Sequence, residues 1–258
     1  MPSITRTRNW SVWIGATLVV LGLVPLAGSA SATGPKVSTV IANRSGIVFG
    51  PKTTEAHSFI TQVGSAKRRC QVAQGTPLAA LKGTGVVFHL KDFGRCSMNT
   101  SASAGLFLDK LVNTTNTGTS GWTFKVNNRA GTAGAADPSG PFGSGPLTTG
   151  DKVIWFWCVF DANWACQRNL VLVAPTTAAT GSSISVSVRA YDDAGTWVPA
   201  VGARVSLGTA KVVTGQSGTV AIQAPSTPGS YLLKAVDATG SSRGGQRAPS
   251  FPTALAVS

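Results

Sequence analysis

Every residue from Val153 to Phe160 is apolar. In a strand, Val153, Trp155, Trp157 and Val159 fall on one face, and Ile154, Phe156, Cys158 and Phe160 on the other. Neither face can meet water cheaply. The strand is therefore either central and buried on both sides, or it offers one aromatic face to a ligand. Both outcomes require a layered β architecture around it. The rest of the chain agrees, because Gly, Ser, Thr and Val are abundant and long amphipathic helical patterns are absent.

Further strands are predicted at Val37–Ala42, at Gly46–Gly50 (closed by Gly50-Pro51), at His57–Val63, at Val86–Leu90 and at Gly105–Val112. In Gly121–Asn127, Trp122, Phe124 and Val126 share one face, and Thr123, Lys125 and Asn127 the other. One short helix is expected at Thr76–Gly83. Thr76 is its cap, Pro77 its first residue and Gly83 its exit, with Leu78 and Leu81 toward the core. Residues 131–150 form a Gly-, Pro- and Ala-rich loop, either a functional element or a connection held down by Phe142. Asp161–Ala165 reads as a hairpin loop, and Cys166–Ala174 as the strand that returns from it. A linker is expected over 174–181. Short alternating strands follow at Ser182–Ala190, Ala203–Leu207, Thr219–Ala224, Ser230–Ala235 and Thr253–Val257, the pattern of a small β-sandwich.

Arg6 and Arg8 precede an apolar run from Trp10 to Leu26 that ends in small residues, Ala27 to Ala32. This predicts a secretory signal peptide over 1–32 and a mature chain starting near Thr33. The expected location is secreted or extracellular, released or loosely held at the cell envelope, with no membrane span after cleavage. The four cysteines then become disulfide candidates. Cys158 and Cys166 flank the hairpin loop, which favours Cys158–Cys166 with Cys70–Cys96 among the three possible pairings. Zinc is the rival, but no C-x-x-C spacing exists and no metal site is expected.

The formal charge of +13 is spread along the chain, with one tight cluster at Lys67-Arg68-Arg69. Such a surface attracts anionic polymers. No nucleic-acid motif accompanies it, so no nucleic-acid partner is expected. Acidic groups are scarce (Glu55 and eight aspartates), and the histidines are His57 and His89. Triads, zinc sites and glycosidase carboxylate pairs each need several convergent groups. Only His57, His89 and Asp92 offer a candidate cluster, so no catalytic residue and no cofactor is assigned.

Four ordered motifs carry a resemblance over Cys70 to about Leu172. They are Gly75-Thr76-Pro77-Leu78-Ala79-Ala80-Leu81, Gly121-Trp122-Thr123-Phe124-Lys125-Val126-Asn127, Gly134-Ala135-Ala136-Asp137 and Gly150-Asp151-Lys152-Val153-Ile154-Trp155. With these the segment resembles the bacterial branch of the transcobalamin-like C-terminal domain family. The resemblance implies a β-grasp-like α+β domain over 33–173, with one short helix against a mixed sheet. In the animal cobalamin carriers the related domain closes over a corrinoid that a larger helical domain also holds. This chain has no such helical domain, and its cysteines and 131–145 loop set it apart, which argues against a corrinoid. Val198-Pro199-Ala200-Val201-Gly202-Ala203-Arg204-Val205, Thr214-Gly215-Gln216-Ser217-Gly218-Thr219-Val220 and Pro228-Gly229-Ser230-Tyr231 resemble immunoglobulin-like or carboxypeptidase-regulatory-like modules of bacterial surface proteins. That resemblance implies a β-sandwich scaffold over 182–258.

The expected fold class is thus β-rich with two domains, and the expected function is a non-catalytic binding protein for a small ligand or an anionic envelope polymer. The candidate binding residues are Trp122, Phe124, Phe142, Trp155, Trp157 and Trp164, beside the 131–145 loop with its Asp137. Stacking on aromatic faces and hydrogen bonds to loop backbone would hold a flat or sugar-like ligand. The alternative is a structural or adhesive envelope protein with no small ligand.

Overall fold

The computed structural model describes residues 33–238 and 247–258. The predicted signal peptide over 1–32 lies outside the described residues. In chain order the elements begin with β1 (Lys36–Asn43), β2 (Gly46–Glu55), β3 (Phe59–Val63), β4 (Arg68–Val72), α1 (Pro77–Thr84) and β5 (Phe88–Asp92). A 3-10 turn at Thr100–Gly105 leads to β6 (Leu106–Leu111), β7 (Thr114–Thr115), β8 (Ser120–Val126), β9 (Arg129–Ala130) and β10 (Lys152–Val159). Then come β11 (Asn169–Val173), β12 (Thr177–Ala178), β13 (Ser183–Tyr191), β14 (Trp197–Pro199) and β15 (Ala203–Leu207). The last are β16 (Ala210–Val213), β17 (Thr219–Gln223), β18 (Gly229–Asp237) and β19 (Thr253–Val257). The protein is β-rich and built from several sheets, and no helix among the described residues is long and apolar enough to cross a membrane.

The apolar strand β10 sits in the middle of a sheet ordered β2-β1-β10-β8-β9. It runs parallel to β1 and antiparallel to β8. Both of its faces are covered. Val153, Trp155 and Trp157 enter a core that also holds Leu78 and Leu81 of α1 and Leu106, Leu108 and Leu111 of β6. Ile154, Phe156 and Cys158 enter a second core with Val40, Ala42 and Ala248, and Phe251 packs against it. This is the central-strand outcome.

The edge strand β2 does not stop at Gly50-Pro51 but runs on to Glu55. Gly50 and Pro51 bulge opposite β1, between the pairs Ile41–Phe49 and Thr39–Lys52. An edge position tolerates a residue without an N–H, and a bulge absorbs the extra residue. The helix begins as expected, with the Thr76 hydroxyl accepting the Ala79 N–H at 3.1 Å and Pro77 at its first position. It ends two residues later than expected. Gly85, at φ 82°, is the left-handed cap, and Gly83 lies inside the helix where it abuts β2.

The strand after the disulfide loop does not return to β10. β11 instead pairs antiparallel with β13, so the passage between sheets falls in residues 160–168. Within the expected linker, Thr177–Ala178 forms β12 and pairs with β19. The sheet centred on β13, which also pairs β14 and β17, faces the sheet β12-β19-β18-β15-β16. Ile184, Val186 and Val188 from one, and Val205, Leu233, Ala235 and Leu255 from the other, fill a third core between them. The alternation expected of the 182–190 strand is realised, with its odd-numbered residues outside the core.

Candidate functional site

The pairing of β8 with β10 places Phe124 opposite Trp155 and Trp122 opposite Trp157. Cross-strand aromatic pairs of this kind stabilise a sheet locally. The Phe124 and Trp155 rings lie 5.3 Å apart, and the Trp122 and Trp157 rings meet edge to face at 5.6 Å. The Trp122 indole N–H donates to the Thr114 carbonyl at 2.9 Å. The Trp155 indole Nε1 is buried and has no acceptor among the described residues, and the same is true of Trp157.

The glycine-rich loop closes over this ladder. A Cβ on Gly131 would lie 2.3 Å from the Phe124 ring, and one on Gly134 would lie 2.8 Å from the Ala104 carbonyl oxygen. Only glycine permits so close an approach at these two points. The Thr132 and Ala133 amides donate to the Pro141 carbonyl, which folds the loop on itself. Between the loop, the aromatic ladder and β6 lies a cavity of about 380 Å³, bordered by Trp122, Phe124, Trp155, Leu106 and Leu108. No charged side chain lines it. Phe93, 76% exposed, and Phe107 stand at its mouth with their rings 5.7 Å apart.

The structure therefore gathers Trp122, Phe124 and Trp155 with the loop, and it separates the other candidates. Phe142 is half-buried under the Arg129 guanidinium, 4.8 Å from its ring centroid. Asp137 does not line the cavity, because its carboxylate accepts the Ser139 N–H at 2.8 Å and closes a turn. Trp157 lines a different cleft, beside Arg44 and Thr114. Trp164, 72% exposed, sits on the Cys158–Cys166 loop against Phe160. Both expected cystines are present, Cys70–Cys96 and Cys158–Cys166.

Sequence reading missed Phe93 and Phe107. A signal for Phe107 exists: Leu106 and Leu108 point inward on β6, so the residue between them is an apolar side chain on an outer face. Phe93 follows its strand in an irregular turn and carries no such pattern.

The polar cluster considered for catalysis is dispersed. His57 Nε2 lies 2.7 Å from Glu55, and its Nδ1 accepts the Gly34 N–H. Asp92 pairs with Arg68 at 3.1 Å and accepts the Gly94 and Cys96 amides. His89 is exposed on β5. Among the described residues no group of three or more His, Cys, Asp or Glu is placed to hold a metal.

Lys125 is the unexpected residue. The alternation puts it on the polar face, opposite Trp122, Phe124 and Val126, yet its side chain is 0% exposed. Its Nζ lies 3.0 Å from Asp193 Oδ1 and donates to the Tyr191 carbonyl at 3.3 Å. Burial pushes its ammonium below the ordinary lysine value, and Asp193 works in the opposite direction. Asp193 also accepts the Cys166 N–H through Oδ2, at 2.9 Å. The central sheet is thus tied to the turn after β13 by a charge pair and by the disulfide loop.

No protein-family model matches the chain, and no curated protein matches it. Among solved structures, the chain is similar to the solution structure of the CARDB domain of a Pyrococcus furiosus protein. The identity is 13%, with 35% of this chain and 94% of that domain covered, at a TM-score of 0.25. At that score the likeness carries no argument about fold or function.

Proposed function

We propose that this is a secreted, non-catalytic binding protein whose ligand is small, neutral and largely apolar. The observation that carries the reading is the cavity of about 380 Å³ beneath the glycine-rich loop. Its size falls within the usual range for small-molecule sites, and its lining is apolar with few polar groups. The absence of charge in the lining favours a neutral ligand, and the exposed Phe93 and Phe107 offer a rim on which a flat group can stack. The buried Trp155 N–H is a donor that one acceptor on the ligand would satisfy.

The two finer fold assignments belong to the same proposal. One helix packed on a mixed sheet supports a β-grasp-like, transcobalamin-like first domain. The two facing sheets around Val186 and Val205 support an immunoglobulin-like second domain. Two cystines support an oxidising compartment. N-terminal sequencing of the exported chain should begin near Thr33.

The binding test uses Nile red, a neutral polarity-sensitive dye, with the full exported chain. Emission should rise on mixing. Phe93→Ser and Phe107→Ser change exposed side chains and should each weaken the response several-fold. A response indifferent to both substitutions, or none at all, overturns the cavity as the binding site.

A further inference from the structure

A second cleft, of about 390 Å³, adjoins the apolar cavity where the turn between β3 and β4 meets the end of β5. Phe93 borders both hollows, and its ring is mostly exposed. The register of β5 on β6 sets Leu90 opposite Leu108 and Asp92 opposite Leu106. Leu90 and Asp92 line the second cleft, and Leu106 and Leu108 line the apolar cavity. The two hollows therefore lie side by side across one strand pair.

Their linings differ in kind. Val63 and Leu90 give the second cleft some apolar surface, but Ser65, Arg68, Lys91 and Asp92 make it polar. Its cations are already met by carboxylates. Arg68 Nη1 lies 3.1 Å from Asp92, and Lys91 Nζ lies 2.7 Å from Asp109. Asp92 also accepts the Gly94 and Cys96 amides, so its oxygens are engaged within the protein. The donors are less fully used. Arg68 reaches Asp92 through Nη1, and guanidinium and ammonium groups each carry further N–H donors. A cleft of paired charges with donors to spare suits an uncharged oxygen, such as an ester carbonyl or a hydroxyl. A carboxylate or phosphate would meet Asp92 and Asp109 along with the cations, and would lose more on leaving water.

We propose that the ligand is a neutral amphiphile. Its apolar chain lies under the glycine-rich loop, its oxygen-rich head lies beside Arg68 and Lys91, and Phe93 sits under the join. The inference rests on the apolar cavity being the binding site, and it adds the class of molecule: an uncharged polyol carried on an apolar chain.

The test titrates the full exported chain by calorimetry with ligands that share one chain and differ in the head, all below micelle-forming concentrations. Monooctanoylglycerol and octyl glucoside carry polyol heads, methyl octanoate has none, and octanoate is charged. At least one polyol ligand should bind at least tenfold more tightly than methyl octanoate and than octanoate, as hydrogen bonds to charged donors allow. The two polyol arms show whether a glycerol ester or a sugar is preferred. Arg68→Met removes donors while Asp92 keeps its backbone amides, and Ser65→Trp puts a bulky ring on an exposed turn. Each should cut the ratio of polyol to methyl octanoate affinity several-fold. The ratio is the readout because damage to the fold would weaken both ligands together. Equal affinity for polyol and methyl octanoate overturns the proposal and leaves the apolar cavity standing. So does a preference that survives both variants, or octanoate binding more tightly than either polyol. Binding of none of these ligands overturns the proposal and the cavity reading together.

Discussion

Removing Lys125 and removing Asp193 have different consequences, because only the second leaves a charge stranded in the protein. Lys125→Met keeps the side-chain volume and leaves Asp193 partly solvated and bonded to the Cys166 amide. Its stability should lie within about 1 kcal/mol of the parent. Asp193→Ala leaves a buried ammonium without its partner and should cost about 3 kcal/mol by urea denaturation, the low end for a broken buried pair. Asp192, still nearby, keeps it from costing more. The pH dependence has a defined sign. Burial lowers the Lys125 pKa in the folded chain, so between that lowered value and 10.5 the unfolded chain binds more protons. The parent should therefore gain stability relative to Lys125→Met as pH rises through that window. Loss of stability there would show that the ion pair outweighs burial. Nothing in the sequence marks Lys125 as buried. The strand 120–126 alternates in polarity, and its second face is covered by Tyr191, 66 residues away along the chain, and by the turn that follows it.

At the scale of the elements, α1 carries the sharpest test. Alanine in place of a helical glycine ordinarily stabilises by about 1 kcal/mol. At Gly83 a Cβ would sit 2.6 Å from the Thr54 hydroxyl and 3.0 Å from the Glu55 carbonyl. Gly83→Ala should instead destabilise by about 1–3 kcal/mol, as overpacking does, and its midpoint in urea should fall. The same glycine shows how far the sequence could be read. Thr76-Pro77 gave the helix start, because capping is a local property of the chain. The stop was misplaced because Gly83 serves packing against β2 and Gly85 serves termination, and composition alone cannot tell these uses apart. The apolar run of β10 was legible as a central strand because both faces announce burial. The path of β11 was not, since nothing local distinguishes a strand that returns from one that joins another sheet. The aromatic ladder at Trp122, Phe124 and Trp155 was readable from period-two alternation. Its wall from Phe93 and β6 was not, because that wall depends on how separate sheets meet.

For the whole molecule, the two cystines act over different lengths of chain. Cys70–Cys96 spans 26 residues and Cys158–Cys166 spans 8. On chain entropy alone, replacing the first pair by serine should cost about 1 kcal/mol more than replacing the second. Denaturation of the two double variants measures this. An excess cost at the short bridge would instead report its part in seating the Cys166 amide on Asp193. The short bridge has another effect, since it encloses the exposed Trp164 at the crossing from one sheet system to the other. A chymotrypsin-like protease reaching that indole would nick the polypeptide inside a closed ring. The fragments should run as one band on a non-reducing gel and part into two only after dithiothreitol. A molecule cut at this exposed loop would thus stay in one piece, a useful tolerance wherever digestive enzymes are abundant.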